Sequence, residues 1–381
     1  MSDNSNMATA KVLKNDEFYT RFEDIEAEIN AYYEYDHDVF RGKTVLCPCD
    51  DPEWSNFTKF FALNFKRFGL KKLISTSYAK GAGNRQTTIL EFDSPLYNKE
   101  KHETHGKLFT LTYDTDGSGV IDSDDIEFNG YLEGDGDFRS PEVCKLRDEA
   151  DIIVTNPPFS LFREFMAWLV ESNKRFIILG NMNSIPCKEI FPLIKSNKIW
   201  LGCNYVKSFI CPDGSLKKFG NILWYTNLEH GKRHEVLMLD SMANNLRYNP
   251  KLCKKLKEFG SANYLQFDNF DAIDIPFTEC IPSDYEGMMG VPLSFLSRYN
   301  PNQFEIIGIS NSPLGQELHI KDYGKQIQYS EKGKISVTKL NDCGAILSTG
   351  VPSKYPYYEV DGKYYIGVYS RIFIRHRRPT A

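Results

Sequence analysis

The sequence lacks the features of a membrane-spanning or secreted protein. No apolar run approaches the ~20 residues that are needed to cross a bilayer. Residues 1–16 are polar and contain no apolar core, which is unlike a signal peptide. The nine cysteines are an odd number and do not have the spacing of a disulfide framework. We therefore expect a cytoplasmic protein with reduced thiols and no membrane partner.

An excess of positive charge and a metal-binding pattern are also missing. The chain has 46 Lys and Arg against 51 Asp and Glu, so its net charge of −5 supplies no long-range attraction to nucleic acid. Binding to DNA would have to use local basic patches. Cys47 and Cys49 are too close together for a zinc site, and no Cys or His pair lies nearby to complete one. We expect no metal ion in the active site.

The sequence does contain a repeated alternation of apolar strands and amphipathic helices. Buried strands are predicted at residues 44–47, 73–78, 150–155, 175–180, 199–202 and 221–225. Helices are predicted at residues 16–33, after a cap at Ser55 or Asn56, at 160–172 and at 187–196. The strands are apolar throughout, which is typical of a parallel sheet that is covered on both faces. The pattern therefore predicts an α/β fold.

The composition changes along the chain and suggests three regions. Residues 1–13 are expected to be disordered, and residues 14–265 to form the α/β domain. Within that domain, residues 80–140 are rich in Gly and Asp and predict a β-rich insertion. Strands become shorter and Tyr, Pro, Asn and Gly more frequent after about residue 265, so residues 266–381 are assigned to a separate C-terminal region.

One motif stands at the end of a predicted strand. Asn156, Pro157, Pro158 and Phe159 join the strand at 150–155 to the helix that follows, and ligands of open α/β sheets bind at such strand ends. The Asn156 side-chain oxygen and the Pro157 carbonyl could accept both hydrogens of an exocyclic base amine. Phe159 offers a ring on which an extruded base could stack. The alternative is that the four residues form only a turn.

The motif belongs to a set of segments that resembles a known family. The chain is similar to the EcoRI-type adenine-specific DNA methyltransferases from about residue 14 to about residue 310. The matching segments, in chain order, are Asp16–Thr20, Cys49–Pro52, Ser55–Phe57, Gly136–Ser140, Ala150–Glu164 and Tyr285–Pro292.

The resemblance implies a Rossmann-like S-adenosylmethionine-dependent methyltransferase core with a C-terminal target-recognition region. The implied reaction transfers a methyl group from S-adenosyl-L-methionine to N6 of a flipped-out adenine in double-stranded DNA. Asn156, Pro157, Pro158 and Phe159 are then catalytic. A cognate restriction endonuclease would be a partner that need not bind physically, and the oligomeric state stays open. The residues that the resemblance implies for cofactor binding are Phe18, Tyr19, Thr20, Asp50, Asp51, Asp137 and Phe138.

The cofactor assignments have alternatives. Phe18 and Tyr19 could be core residues of the first helix. Asp50 and Asp51 could form a solvated acidic turn, and Asp137 with Phe138 could belong to an acidic loop. The chain also departs from most S-adenosylmethionine enzymes, because residues 49–57 contain no glycine where those enzymes have a Gly-rich turn.

Three further residues are candidates for substrate binding. Related enzymes place a second aromatic wall of the base pocket near Phe209, although core packing is the alternative for this residue. Arg371 and Arg375 lie in a basic, Tyr-rich C-terminal segment and could contact phosphates or guanine. An ordinary solvated β-hairpin is the alternative for that segment.

An acidic segment at residues 114–125 imitates a calcium loop. Acids or Ser stand at positions one, three, five, nine and twelve, and Gly at six, but the last acid is Asp rather than Glu. The preceding residues alternate like a strand, whereas an EF-hand has a helix there. An acidic hairpin turn is the favoured interpretation.

Two other functions remain open from the sequence. A methyltransferase of RNA bases or protein glutamine would more often end the motif in Tyr and carry the Gly-rich turn. A non-catalytic DNA-binding relative would not need an intact motif from Asn156 to Phe159.

Overall fold

The computed structural model describes residues 19–52, 55–79, 94–211, 214–311, 313–333, 335–336, 340–342, 344–350 and 356–377. The segment predicted to be disordered (1–13) and Phe18 lie outside these residues. The chain divides into two compact units, which are Met1–Ser184 with Lys198–Gly231, and Ile185–Asn197 with Lys232–Ala381.

The division between the units falls earlier than the boundary predicted near residue 265. The chain leaves the first unit at Gly231, and two helices between residues 242 and 257 belong to the second unit. The change of composition at residue 265 therefore lies inside the second unit. The two helices of the second unit that precede it lack this change, so the change of composition does not mark the boundary.

The first unit contains six helices and nine strands among its described residues. The helices are α1 (Phe22–Tyr35), α2 (Asn56–Leu63), α3 (Phe65–Phe68), α4 (Lys99–Thr104), α5 (Pro141–Glu149) and α6 (Phe162–Glu171). The strands are β1 (Tyr19–Thr20), β2 (Thr44–Cys47), β3 (Lys72–Thr76), β4 (Lys107–Leu111), β5 (Glu127–Tyr131), β6 (Ile152–Thr155), β7 (Arg175–Asn181), β8 (Trp200–Ile210) and β9 (Leu216–Thr226).

The nine strands form one mixed sheet in the order β1-β8-β9-β7-β6-β2-β3-β4-β5. The parallel arrangement predicted from the sequence is found in the four central strands, β7, β6, β2 and β3. The flanking strands are antiparallel. Strands β4 and β5, in the predicted insertion, pair with each other, and β4 continues the sheet beside β3. The fold is therefore mixed α/β around a large mixed sheet.

Burial explains why these segments form these elements. All four residues of β2 and all four of β6 are buried, as expected for strands covered on both faces. Helix α2 is capped by Ser55, whose hydroxyl accepts a hydrogen bond from the Phe57 N–H, so the predicted cap is confirmed. The phenylalanine rings of α2 pack in the core with Ile25 and Ile29 of α1. Each buried aromatic or aliphatic side chain stabilises the fold by about 1.5–3 kcal/mol.

The second unit contains short helices and two small sheets. The helices are α7 (Phe191–Lys195), α8 (Met242–Tyr248) and α9 (Pro250–Lys257). The strands are β10 (Ala272–Asp274), β11 (Met288–Pro292), β12 (Phe304–Ile309), β13 (Ile327–Tyr329), β14 (Ile335–Ser336), β15 (Ile346–Thr349), β16 (Tyr357–Val360), β17 (Lys363–Gly367) and β18 (Arg371–His376). Across both units, short 3₁₀ turns occur at Ser123–Asp125, Phe159–Leu161, Met182–Ser184, Gly231–His234, Thr278–Cys280, Leu293–Arg298, Gln316–Leu318 and Leu340–Asp342.

The two sheets of the second unit share an aromatic core. Their strand orders are β10-β11-β18-β12 and β14-β13-β16-β17-β15. Phe267, Phe270 and Phe373 pack with Leu347 of the five-stranded sheet. Helix α7 is shorter than the predicted helix at 187–196, because it begins at Phe191 with a proline in its first turn.

Candidate active site

The Asn-Pro-Pro-Phe motif lies at the carboxyl end of β6, in the middle of the sheet. Strand β6 ends at Thr155, and Phe159 opens a 3₁₀ turn that leads into α6. The predicted strand–turn–helix context of the motif is therefore confirmed. Asn156 and Phe159 are half-buried, whereas Pro157 is buried. Because β6 runs parallel to both β2 and β7, the motif shares its edge of the sheet with the ends of these strands.

The turn after β2 makes a tight bend without glycine. Cys49 adopts a left-handed backbone conformation with φ of +65°, which glycine adopts more easily than other residues. The backbone N–H groups of Cys49 and Asp50 are held by Thr76 at the end of β3. This strained cysteine accounts for a turn of this shape in a segment that lacks the expected glycine.

Asp50 points into the protein from this turn and is only 6% exposed. Its carboxyl group contacts the Ser55 hydroxyl at 2.8 Å and the Thr155 hydroxyl at 2.5 Å. Burial raises the pKa of Asp50 to about 7. Asp50 therefore connects the turn after β2 to the residue that precedes Asn156.

Asp51 has a different environment from Asp50. Its carboxylate lies 3.7 Å from the Lys107 ammonium, and its side chain is 17% exposed. Lys107 begins β4, and its own side chain is only 1% exposed. The sequence analysis did not identify Lys107, because a lysine at the start of a strand is ordinarily solvated. Lysine is rarely buried without a paired acid, and Asp51 is an acid that lies beside Lys107.

The N-terminal segment joins the same site through β1. Thr20 pairs with Phe209 of β8, and the Asn56 side chain donates a hydrogen bond to the Thr20 carbonyl at 2.8 Å. Thr20 is buried and Tyr19 is half-buried. The structure thus brings Tyr19 and Thr20 next to the start of α2, which also holds Asp50 through Ser55.

Phe209 supports the motif from within the core. Its ring makes an edge contact with Phe159, with 6.1 Å between ring centroids, and another with Phe219 at 5.4 Å. Phe209 is completely buried. The structure therefore places Phe209 behind Phe159, in agreement with the packing alternative and not with an open wall of a pocket.

Asp137 and Phe138 point in different directions. Asp137 accepts hydrogen bonds from the Arg139 guanidinium, which lowers the pKa of its carboxyl group. Phe138 is buried against Phe165 and Trp168, so its ring packs in the core and offers no exposed face to a ligand. Asp137 fits a ligand-binding role better than Phe138 does.

Close backbone packing holds the Asp137 loop against the sheet. A Cβ atom on Gly136 would lie 2.3 Å from the Ser77 carbonyl, and one on Gly106 would lie 2.7 Å from the Gly136 Cα. Gly106 precedes Lys107, whose N–H group bonds to the Ser77 hydroxyl. The residues around Asp51 and those around Asp137 are therefore linked through Ser77.

The two candidate arginines belong to the second unit. Arg371 is buried and forms an ion pair with Asp274 at 2.8 Å, while it also donates to the Tyr369 carbonyl. These contacts argue for a structural role and against DNA contact, because the guanidinium is already engaged. Arg375 lies on the same strand and is exposed.

The acidic segment at 114–125 connects β4 and β5. Oxygen atoms of Asp114, Asp116 and Asp125 lie within 4.8 Å of one another. Asp125 accepts hydrogen bonds from the N–H groups of Thr115 and Asp116, and Asp114 accepts them from Gly117. Strands flank this loop within the described residues, so it does not have the two helices of an EF-hand.

A basic surface on α8 and α9 was missed by the sequence analysis. Residues 241–257 contain five cations and no acid, in a chain of net charge −5. Lys251, Lys254 and Lys257 recur at helical spacing and are exposed, as is Arg247. The run of cations without an acid is visible in the sequence and could have identified this surface.

Similarity to known proteins defines the class of this protein, which is an adenine-specific DNA methyltransferase. The chain matches the family described as "Adenine-specific methyltransferase EcoRI" over residues 6–377, and it belongs to that family.

Three named relatives support this assignment. The type II methyltransferase M.EcoRI of Escherichia coli is 40% identical over 330 residues, which cover 82% of this chain and 91% of that protein. M.MpnI of Mycoplasma pneumoniae is 34% identical, with coverage of 80% and 85%, and M.MgeORF184P of Mycoplasma genitalium is 33% identical, with coverage of 80% and 86%. No solved structure shows a significant match. Among the described residues, every helix is too short or too polar to span a membrane.

Proposed function

We propose that this enzyme uses S-adenosyl-L-methionine to methylate N6 of an adenine that is flipped out of duplex DNA. The observation that carries the proposal is that three segments distant in sequence meet at the carboxyl ends of the central parallel strands. Tyr19–Thr20, the turn residues Asp50, Ser55 and Asn56, and the segment Thr155–Phe159 are joined there by hydrogen bonds and ring contacts. The central parallel strands would then form the Rossmann-like core of the methyltransferase.

The donor set fits the cofactor. S-adenosylmethionine, when bound, supplies an electrophilic methyl group on a sulfonium. Asp137, whose pKa is lowered by Arg139, and Asp51, which lies 3.7 Å from the Lys107 ammonium, are carboxyl groups near the strand ends. Acids in such positions can bind amino and hydroxyl groups by charge-assisted hydrogen bonds. Tyr19 and Thr20 would border the cofactor at the edge of the sheet. We assign Asp51 and Asp137 the direct contacts, and Phe138 a packing role.

The motif residues would prepare the adenine amine. The exocyclic nitrogen is a poor nucleophile because its lone pair is delocalised into the ring. The Asn156 side-chain oxygen and the Pro157 carbonyl would accept its two hydrogens and favour a more tetrahedral nitrogen. Proline has no N–H group and a restricted φ, so the turn presents its carbonyl in a constrained position. Phe159 would stack on the base, with Phe209 fixing its ring from behind.

Duplex DNA would be contacted by the second unit. Arg247, Lys251, Lys254 and Lys257 supply positive charge that the whole chain does not have. Cations of this kind bind phosphates without reading sequence. The exposed Arg375 is retained as a candidate for DNA contact. The second unit would then act as the target-recognition region of the enzyme.

Methyl transfer from labelled S-adenosylmethionine to unmethylated DNA, followed by nucleoside analysis, tests this function. We expect label in N6-methyladenine, and a loss of about 100-fold or more in kcat for Asn156→Ala with little change in unfolding temperature. Asn156→Asp is the matched variant, since a carboxylate oxygen still accepts one N–H and some activity should remain. Label in RNA or protein instead of DNA, or full activity of Asn156→Ala, would contradict the proposal.

A further inference from the structure

The hydrogen bonds around Asp50 leave one proton to be assigned. The Thr155 hydroxyl lies 2.7 Å from the Pro48 carbonyl and 2.5 Å from Oδ2 of Asp50. A carbonyl oxygen can only accept, and a hydroxyl has a single hydrogen to donate. If Thr155 donates to Pro48, its oxygen must accept at the second contact. The donor is then a protonated Asp50.

The other contacts of Asp50 agree with a neutral carboxyl group. Its Oδ1 accepts from the Ser55 hydroxyl at 2.8 Å. Hydroxyl groups of Thr58 and Ser75 contact its main-chain carbonyl, and no ammonium or guanidinium group pairs with its side chain among the described residues. A buried carboxylate without a cation is costly, whereas a neutral acid is not. The pKa of about 7 that burial produces is consistent with this state.

The position of Asp50 also explains what its hydrogen bond to Thr155 would do. Strands β2 and β6 pair through Val45 with Ile152 and through Leu46 with Ile153. Beyond these pairs, Thr155 is tied to the turn after β2 by its own hydroxyl, through Pro48 and Asp50. Asn156 is the next residue. The bond therefore fixes the chain from which the catalytic side chain projects.

We propose that Asp50 is a positioning residue that acts as a neutral acid and holds Thr155, and thereby Asn156, instead of binding the cofactor through a carboxylate. This inference rests on the proposed role of Asn156. It changes the role that the family resemblance implies for Asp50 and leaves Asp51 as the acid of this turn that contacts the cofactor. Because the β2 turn would border the cofactor and β6 carries the base-binding motif, the bond joins the two halves of the reaction site.

Asp50→Asn separates the two roles. An asparagine can donate its N–H to Thr155 and accept from Ser55, so it reproduces the neutral acid. We expect kcat within about threefold of wild type and an unchanged Kd for S-adenosylmethionine. Asp50→Ala should lower kcat about 100-fold, as expected for a misplaced catalytic group, with little change in that Kd. Thr155→Val should behave like Asp50→Ala, and Thr155→Ser should restore activity. Asp51→Asn is the matched control and should weaken cofactor binding.

The opposite pattern would overturn the inference. An Asp50→Asn enzyme that binds the cofactor tenfold or more weakly, together with a fully active Thr155→Val enzyme, would identify Asp50 as a charged ligand. Cofactor affinity is measured by calorimetry, so it is read independently of methyl transfer. A wild-type protein that does not methylate adenine would reject the proposed function, but the protonation of Asp50 can still be measured.

That protonation state has a direct readout. The ¹³C shift of the Asp50 carboxyl carbon, assigned by its loss in Asp50→Asn, should titrate near neutral pH in the intact protein. The neighbouring titratable groups are the Cys47 thiol on β2 and the Asp51–Lys107 pair, and Cys47→Ala and Asp51→Asn should leave the midpoint above about 6. A midpoint near the ordinary value of about 4 would show an ionised Asp50 and reject the neutral acid.

Discussion

At the scale of single residues, two buried carboxyl groups hold elements of the first unit together. Asp50 joins β2 to β6, as described above. Glu28 on α1 is completely buried and accepts hydrogen bonds from the N–H groups of Cys203 and Asn204 and from the Tyr32 hydroxyl. The register of β8 shifts between Leu201 and Tyr205, which frees these N–H groups from the sheet. The Glu28 carboxyl group thus accepts hydrogen bonds from the N–H groups that β8 cannot pair within the sheet, whereas Asp50 connects its strands through the hydroxyls of Ser55 and Thr155.

Removing Glu28 should destabilise the fold. Glu28→Ala leaves two N–H groups of β8 without their acceptor and opens a cavity beneath α1. We expect the free energy of unfolding in urea to fall by about 2–4 kcal/mol. Glu26→Ala removes an exposed acid from the same helix and should change it by less than about 0.5 kcal/mol. Equal effects of the two substitutions would contradict the role of Glu28.

Stability should depend on pH through Asp50. The pKa of Asp50 is about 7 in the folded protein, above the ordinary value near 3.9 for an unfolded chain. The folded state therefore binds the proton more tightly, and the stabilisation is complete below pH 4 and lost as pH rises through 7. We expect a slope of up to about 1.4 kcal/mol per pH unit from this group, measured by urea unfolding between pH 5 and 8.

Glu28 should also make the stability fall as pH rises, since burial raises its pKa to about 7. The comparison of wild type with Asp50→Asn isolates the part that belongs to Asp50. The variant should lose stability less steeply with rising pH than wild type. Identical slopes for the two proteins would show that Asp50 is ionised in the folded state throughout this range.

At the scale of elements, the loop before α5 depends on a glycine for its approach to β3. Gly136 combines a φ of +83° with a backbone neighbour so close that a Cβ atom would lie 2.3 Å from the Ser77 carbonyl. Backbone atoms cannot move aside as a flexible side chain can. The loop carries Asp137, so its distance from the sheet sets the position of a proposed cofactor ligand.

Gly136→Ala should be more harmful than an alanine at an open position with the same backbone conformation. Gly119 has a φ of +85° and no atom within 4 Å of an added Cβ, so Gly119→Ala measures the conformational cost alone, about 1 kcal/mol. Gly136→Ala should cost about 2 kcal/mol more and weaken cofactor binding, as measured by unfolding and calorimetry. Similar values for both variants would show that the loop moves away freely.

At the scale of the whole molecule, binding to DNA must overcome a net charge of −5. Only local positive charge can attract the phosphates, and we propose that the surface of α8 and α9 supplies it. Part of this charge is engaged within the protein, because Lys255 pairs with Glu258 and Lys251 lies 3.9 Å from Glu279. Lys254 and Lys257 are exposed and are the better probes.

Neutralising these two lysines should weaken DNA binding in a salt-dependent manner. We expect Lys254→Gln combined with Lys257→Gln to reduce the slope of log K against log salt concentration by about 2, with similar loss for cognate and non-cognate duplexes. Lys99→Gln with Lys101→Gln changes the net charge by the same amount on α4, between acidic neighbours, and serves as the control. Equal slopes for both double variants would place the DNA elsewhere.

Much of the architecture could be predicted from local pattern. The strands that became β2, β3, β6 and β7 are continuous apolar runs, and Ser55 is a strong helix cap, so hydrophobic burial and capping decide them within a few residues of chain. The same holds for the motif at Asn156–Phe159, whose strand–turn–helix context is local. The antiparallel direction of β8 and β9 and the division at Gly231 were not predicted, because strand direction and unit boundaries depend on contacts between distant segments.

What the sequence determined by itself is therefore the family, the central strands and the strand–turn–helix context of Asn156–Phe159, since each depends on residue identity in a short stretch. The tertiary structure decided which of the candidate residues are buried and which groups they contact. Asp50 and Asp51 are neighbours with the same side chain, yet one is buried on Thr155 and the other pairs with Lys107. Phe138, Phe209 and Arg371 are likewise engaged in the interior. Burial and pairing arise from segments that meet only in the folded chain, and they determine the charge and the accessibility of each group.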